Sequence, residues 1–147
     1  MKKLLATAAV AILCVAAPTS ANEERDWREN ECRFQGLTEE RWSQREVVAT
    51  IECAVARWPV PRGADGAVRT AACESGLRAD ALSPSGRYAG LFQHIRSAFP
   101  ARSRHWNPGG WDKPLGSNPF NARANAVTSV RMAHAVGWGA WPHCGYV

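Results

Sequence analysis

The sequence predicts a compact, mostly α-helical domain that is stapled by disulfides. Apolar residues recur at helical spacing in several stretches, and no stretch of any length alternates between apolar and polar residues as a strand does. The chain has 147 residues, a size at which one domain can bury a hydrophobic core. Four cysteines follow residue 21, and an even number in an exported chain indicates two disulfides: Cys32, Cys53, Cys73 and Cys144.

Residues 1–21 have the organisation of a signal peptide. Lys2 and Lys3 form a basic start, an apolar stretch follows, and the small residues that end at Ala21 form a cleavage site. The apolar stretch is shorter than the ~20 residues that a membrane-spanning helix needs. We therefore expect cleavage after Ala21, no stable membrane anchor, and a protein that is secreted or held in the cell envelope.

The charges are distributed unevenly along the chain. Residues 22–74 carry eight arginines against eleven acids, whereas residues 75–147 carry eight basic residues against two acids. A cationic half suits an anionic partner such as a cell-wall polymer, nucleic acid or an acidic membrane surface. Plain solubility explains a charge of this size equally well.

Residues 22–63 are predicted to form an N-terminal arm followed by a first helix. Thr38 offers an N-cap, and the helix ends at Trp58 because Pro59 follows. The apolar residues of this helix fall at steps of three and four: Val48, Ile51, Val55 and Trp58.

A second helix is predicted from about Asp65 to Glu74, with Gly76 as its stop signal. Its inward residues are Val68, Ala71 and Ala72. Glu74 then lies at the negative end of the helix dipole, and small apolar neighbours surround it. Both conditions favour a protonated carboxyl group, which is what a general acid requires. The competing interpretation is a surface glutamate at a helix end.

Two further helices are predicted in the second half of the chain. A short one runs from Leu91 to Phe99 and ends before Pro100, and residues 101–119 form a loop. A long one starts at Asn118-Pro119 and ends near Gly137. Its apolar face consists of Phe120, Ala124, Val127, Val130 and Ala133. Residues 64–147 are expected to pack with residues 22–63 as a single domain.

The tryptophans and histidines allow more than one interpretation. Four of the seven tryptophans lie among glycines and prolines, where they either line a sugar-binding groove or cover a thin helical core: Trp106, Trp111, Trp138 and Trp141. The spacing of the four histidines fits no short metal motif, so we expect no metal or cofactor, and predict polar surface or groove positions: His94, His105, His134 and His143. The arginines at 96, 102 and 104 lack regularly interleaved aromatics, so nucleic acid is not an expected partner.

Three short blocks resemble the signature of the soluble lytic transglycosylases, which belong to the lysozyme-like superfamily. The blocks are residues 74–77 (ESGL), 83–86 (SPSG) and 90–93 (GLFQ), and Ser83 follows Glu74 by nine residues as in that signature. Asn118-Pro119 and Asn121 are similar to a later segment of the same family. The stretch between Gly86 and Gly90 is one residue longer than the usual spacing, so we expect this loop to differ from the family.

The ends of this region also resemble the resuscitation-promoting factors of actinobacteria. Residues 73–76 (CESG) and 137–144 (GWGAWPHC) carry this second likeness. It implies a Cys73–Cys144 disulfide across a compact lysozyme-like domain, which leaves Cys32 and Cys53 to pair with each other. Together the two likenesses cover roughly residues 64–146.

The resemblance implies cleavage of the β-1,4 bond between N-acetylmuramic acid and N-acetylglucosamine in peptidoglycan. Glu74 would act first as the acid and then as the base, giving a 1,6-anhydro product, and no cofactor would take part. The implied contacts to the glycan are Ser83, Tyr88, Gln93, Asn121, Trp138 and Trp141. The rival expectation is a secreted, non-catalytic module that binds cell-wall glycan or another protein.

Overall fold

The computed structural model describes residues 43–106 and 116–146. This part of the chain contains four α-helices and a small antiparallel hairpin, as the prediction of a mostly α-helical fold requires. The elements are α1 (Gln44–Arg57), α2 (Gly63–Ser75), β1 (Tyr88–Ala89), β2 (His94–Ile95), α3 (Phe99–Trp106) and α4 (Ala122–Val136), followed by a 3-10 helix (Gly137–Ala140). None of the described helices is long and apolar enough to cross a membrane.

A capping box starts helix α1. The backbone N–H of Glu46 donates to the Ser43 hydroxyl, and the backbone N–H of Ser43 donates to the Glu46 carboxylate at 2.8 Å. This helix therefore begins at Gln44, and the predicted cap, Thr38, is wrong for it and lies outside the described residues. The predicted end is confirmed, because Trp58 is the C-cap.

Helix α2 ends as predicted, at a glycine in the left-handed conformation. Gly76 has a φ of 64°, and its N–H donates to the carbonyl of Ala72 at 2.8 Å. The predicted inward position of Ala72 is wrong, since this residue is exposed, whereas Thr70 is buried. Thr70 tolerates burial because its hydroxyl donates to the Gly66 carbonyl at 2.9 Å.

The predicted helix from Leu91 to Phe99 is wrong. Leu91 and Phe92 are fully buried in a turn, and β2 follows them and pairs with β1. Helix α3 begins at Phe99, where the prediction ended a helix, so residues 101–106 are helical and not loop. Pro100 does not oppose this start, because the N–H groups of a first helical turn have no partner within the helix. Two-residue strands are too short to show an alternating pattern.

Helix α4 passes through the core and packs against α1 and α3. Asn121 is its N-cap and accepts a hydrogen bond from the backbone N–H of Ala124 at 2.9 Å, so the helix begins slightly after the predicted Asn118-Pro119. Gly137 caps its C-terminal end as predicted. Its buried residues are mostly small, which lets neighbouring elements approach closely.

The buried side chain of Asn125 joins α4 to the turn at residues 90–92. Its amide oxygen accepts a hydrogen bond from the backbone N–H of Phe92 at 2.9 Å, and its amide nitrogen donates to the Pro119 carbonyl at 2.8 Å. Gly90 has a φ of 79°, and a Cβ atom there would overlap the Pro119 carbonyl oxygen and the Asn125 amide nitrogen. The turn and the helix can therefore meet only if residue 90 is glycine.

His94 is a core residue, which corrects the expectation of a surface or groove position. Its side chain is 2% exposed, and its Nδ1 and Nε2 atoms each lie 2.7 Å from a partner, Arg102 and Ser129 respectively. A guanidinium only donates, so Nδ1 accepts and the imidazole proton sits on Nε2, directed at the Ser129 hydroxyl. Burial, assisted by the charge of Arg102, lowers the pKa of His94 to about 3, so the ring is neutral at physiological pH.

The predicted Cys73–Cys144 disulfide is present and closes a sequence separation of 71 residues. It attaches the end of the described chain to α2. The second predicted pair, Cys32 with Cys53, involves Cys32, which lies outside the described residues, and stays a prediction.

We predict that Gly90→Ala lowers the free energy of unfolding by about 3 kcal/mol or more, because the new methyl group meets backbone and the residue is held at positive φ. Urea unfolding followed by circular dichroism measures this. Gly139→Ala is the matched control, since a Cβ atom at Gly139 meets nothing within 4 Å. Equal stability of the two variants would contradict the close contact at Gly90.

We also predict that replacing both cysteines, as in Cys73→Ser/Cys144→Ser, costs about 4 kcal/mol of stability. The loss follows from the entropy that the unfolded chain regains when a loop of this length opens. Thermal unfolding of the double variant and of the wild type under the same non-reducing conditions gives the comparison. Identical unfolding midpoints would show that the bond does not restrain the unfolded chain.

Candidate functional site

Glu74 is the penultimate residue of α2, and its side chain is half-buried. Burial raises the pKa of its carboxyl group above the ordinary glutamate value, and the charge of His143 acts in the opposite direction. The position at the C-terminal end of a helix also disfavours a negative charge. The carboxyl group is thus biased towards its protonated form, as the sequence predicts for a general acid.

The helix end that carries Glu74 is fixed by side-chain hydrogen bonds. The Ser75 hydroxyl donates to the Ala71 carbonyl at 3.1 Å and accepts from the backbone N–H of Arg78 at 3.2 Å. The side-chain amide of Gln44, at the start of α1, donates to the Gly76 carbonyl at 3.2 Å. These contacts hold the backbone on both sides of the carboxylate.

The disulfide brings His143 to Glu74. Glu74 follows Cys73, His143 precedes Cys144, and the two cysteine Cα atoms are 5.6 Å apart. Further contacts fix the same segment, since the Arg62 guanidinium donates to the Gly145 carbonyl and the Cys144 carbonyl lies 3.3 Å from the Thr70 hydroxyl. The sequence predicts a polar surface or groove position for His143 but not its proximity to Glu74. The sequence does contain a signal for this proximity, because His143 is next to Cys144 and Glu74 is next to its predicted partner, Cys73.

Ser83 and Tyr88 hold the loop after Glu74 together. The backbone N–H of Ser83 donates to the Tyr88 carbonyl at 2.9 Å, and the backbone N–H of Tyr88 donates to the Ser83 hydroxyl at 3.0 Å. The Ser83 carbonyl also accepts from Gly86 at 2.8 Å, which closes a tight turn. The Tyr88 side chain is 38% exposed, so its ring is accessible to a ligand.

Gln93 belongs to the same loop. Its side-chain amide donates to the carbonyls of Gly90 at 2.9 Å and Ala81 at 3.3 Å, and its backbone has a φ of 48°. The amide nitrogen is therefore used to connect the two ends of the loop. Ser83, Tyr88 and Gln93, which the sequence singled out separately, are thus parts of one hydrogen-bonded unit. Their contacts with sugar stay predictions.

Asn121 and the two tail tryptophans have identifiable structural roles. Asn121 caps α4, and Trp138 and Trp141 are each 4% exposed. The indole N–H groups donate to the carbonyls of Pro61 at 3.0 Å and Phe92 at 2.8 Å respectively, and both rings contact the Phe92 ring. Burial leaves the two indoles little surface for stacking on a sugar. Of the two alternatives that the sequence allowed, a sugar-binding groove or the core, the structure therefore favours the core. The remaining groove candidate, Trp111, lies outside the described residues, and Trp106 ends α3.

No second carboxylate influences Glu74 within the described part of the chain. Among the described side chains, His143 is the charged group that acts on the pKa of Glu74, in addition to burial. The Asp80 side chain is 80% exposed and lies 3.3 Å from the guanidinium of Arg78. Asp112, the other late acid, lies outside the described residues. Among the described residues, no three histidine, cysteine, aspartate or glutamate side chains converge as a metal site would require.

Comparison with protein-family models, with curated proteins and with solved structures finds no match for this chain. Its function is therefore inferred from its residues and their geometry.

We predict that the carboxyl group of Glu74 titrates above the ordinary glutamate value, and that His143→Gln raises its pKa further. The substitution removes the positive charge that favours the carboxylate form. Titration of the side-chain carboxyl carbon by NMR measures both values. His105→Gln is the control, because His105 is an exposed residue of α3. A Glu74 pKa that stays the same or falls in His143→Gln would refute the pairing.

Proposed function

We propose that this protein is an exported peptidoglycan-cleaving enzyme that uses Glu74 as its catalytic acid and base, in the manner of a lytic transglycosylase. The observation that carries the proposal is a half-buried glutamate with a raised pKa, held at a braced helix end and influenced by no other described carboxylate. The transglycosylase-like blocks around it supply the substrate class. A lysozyme-like arrangement of the four helices and the hairpin is part of the same proposal.

The first step is proton donation. Protonated Glu74 gives its proton to the oxygen of the bond between N-acetylmuramic acid and N-acetylglucosamine, and that bond breaks as positive charge develops on the muramoyl C1. Two-carboxylate glycosidases stabilise this charge with a second acid. Asp80 is a poor candidate because it is strongly exposed and interacts with Arg78. In the proposed route, the carbonyl oxygen of the substrate's own N-acetyl group attacks C1 in place of a second carboxylate.

The second step regenerates the enzyme. The muramoyl C6 hydroxyl attacks C1, its proton passes to the Glu74 carboxylate, and the N-acetyl group is released from C1. The product is a 1,6-anhydromuramoyl end, and Glu74 is protonated again, so no water is consumed. His143 moderates the affinity of Glu74 for this proton, which suits a group that must both lose and regain it.

The loop formed by residues 81–93 is assigned to the substrate. Its exposed Tyr88 ring offers a face to a sugar, and Ser83 and Gln93 shape the loop through their hydrogen bonds. Asn121 stabilises the start of α4, whereas the buried Trp138 and Trp141 stabilise the core. The Cys73–Cys144 bond would keep His143 beside Glu74 in the oxidising environment to which an exported protein is delivered.

A non-catalytic cell-wall binder is the second candidate. The exposed side chains of Leu82 and Tyr88, together with the cationic second half of the chain, would serve it equally well. The two candidates differ at Glu74, since a binder does not need a carboxyl group with a raised pKa.

We predict that Glu74→Gln lowers the rate of peptidoglycan cleavage by about 10²–10⁴-fold, the usual contribution of a general acid, and leaves binding to sedimented cell walls intact. Release of soluble fragments measures cleavage. Glu52→Gln is the matched control, because it removes the same charge from an exposed site on α1. Unchanged cleavage by Glu74→Gln would refute the catalytic assignment.

Mass spectrometry of the fragments identifies the reaction type. Fragments lighter than reducing muropeptides by one water indicate the 1,6-anhydro product, and reducing fragments alone indicate hydrolysis. A wild-type protein that binds walls and releases nothing would favour the binder.

A further inference from the structure

An open cavity of about 380 Å³ lies beside the β1–β2 hairpin, next to the loop formed by residues 81–93. The described residues that line it are Gly86, Arg87, Arg96 and Ser97. Two of these four are arginines, and the other two offer bare backbone and a hydroxyl group. The two guanidinium groups and the hydroxyl group are the parts of this lining that can bind an anion.

The hairpin register places the two arginines directly opposite each other. Tyr88 pairs with Ile95, and the backbone N–H of Arg96 donates to the Arg87 carbonyl at 2.9 Å, so this pair continues the ladder by one step. Residues opposite each other in an antiparallel ladder project from the same face, and like charges in such a pair are destabilising. The ladder therefore places two positive charges at neighbouring positions of one face, an arrangement that an anion bound nearby would stabilise.

Neither arginine is neutralised by a carboxylate within the described part of the chain. The ion pairs there join Arg69 to Asp65 and Arg78 to Asp80. Arg87 and Arg96 instead lie over aromatic rings, those of Tyr88 at 5.5 Å and Phe120 at 5.8 Å. A ring face restrains a guanidinium without accepting its N–H groups in ordinary hydrogen bonds, so these donors remain directed at the cavity or at solvent.

The surroundings add to the positive potential. Phe120 directly precedes Asn121, the N-cap of α4, and a helix N-terminus carries partial positive charge. The half of the chain after Glu74 has eight basic residues against two acids. An anion near Arg96 therefore meets favourable charge from the pair, from the helix end and from the chain as a whole.

We propose that Arg87 and Arg96 form a subsite for an oxyanion, a carboxylate or a phosphate group, carried by the cell-wall polymer. The identity of the polymer rests on the proposed function, whereas the anion site itself rests on the cavity and the paired guanidiniums. Two sources supply this chemistry: carboxylates of the peptides attached to muramic acid, and phosphates of wall polymers linked to the same glycan. Planar guanidinium groups bind either anion through paired N–H donors.

The first test uses inorganic phosphate and acetate as probes and does not depend on any activity. We expect the side-chain Nε–Hε NMR signals of Arg87 and Arg96 to shift saturably when either salt is added at constant ionic strength. The signals of Arg45 and Arg104, which are exposed residues elsewhere on the molecule, should not saturate in the same range. Parallel, non-saturating shifts at all four arginines would overturn the proposal.

The second test measures binding to sedimented walls in the Glu74→Gln background, so that cleavage plays no part. We expect Arg87→Gln/Arg96→Gln to weaken binding roughly tenfold or more, the effect of removing charge-assisted hydrogen bonds to an anion. Arg45→Gln/Arg104→Gln removes the same charge and should have a small effect. If the two double variants weaken binding equally, the total positive charge and not a specific site determines binding, and the proposal is overturned.

Walls with selected groups removed identify the source of the anion. If it is a peptide carboxylate, removal of the peptides by an amidase should weaken wild-type binding and abolish the difference between wild type and Arg87→Gln/Arg96→Gln. If it is a phosphate, acid extraction of the phosphate polymers should do so instead. A difference that survives both treatments would overturn a wall oxyanion as the ligand. Failure of the catalytic proposal leaves these readouts unaffected, because none of them depends on cleavage.

Discussion

The buried amide of Asn125 is the contact on which the arrangement of the loop and the helices depends. It holds the Phe92 N–H and the Pro119 carbonyl at once, so it fixes the turn at residues 90–92 to the start of α4. Removal of either partner would leave a buried polar group unsatisfied, which is costly in a low-dielectric interior. Phe92 in turn receives the Trp141 indole N–H through its carbonyl. The loop, the long helix and the C-terminal tail thus share one polar connection inside an apolar core.

The sequence predicts helix ends well where a residue with special backbone requirements marks them. Gly76, Gly137 and the proline after Trp58 are such residues. The start of α1 is also marked, by Ser43 and Glu46, and an interpretation that favours Thr38 overlooks that pair. The segment at 91–99 is different, because Leu91 and Phe92 are buried by distant partners such as Asn125. Local sequence does not distinguish a buried turn of this kind from a short helix.

In the candidate site, too, some features can be predicted from local sequence and others cannot. Glu74 and its raised pKa follow from a helix end and small neighbours, both legible in the sequence. His143 comes to Glu74 only through the Cys73–Cys144 bond, a connection over 71 residues that local patterns do not encode. The burial of Trp138 and Trp141 is likewise a tertiary property, since their glycine- and proline-rich surroundings are equally typical of a groove. Sequence indicates which groups carry chemistry, and packing decides which of them meet.

The neutral imidazole of His94 limits the pH range in which such a site can operate. Its pKa is lowered by burial to about 3, so its contribution to stability is present above the ordinary histidine value of about 6.5 and is lost as pH falls towards 3. The carboxyl group of Glu74 has the opposite preference, because its raised pKa favours the protonated form on the acidic side. Acidification therefore favours the protonated form of the proposed acid, Glu74, and at the same time destabilises the core around His94. If Glu74 is the catalytic acid, activity should be limited at higher pH by ionisation of Glu74 and at lower pH by the loss of stability that begins below about 6.5.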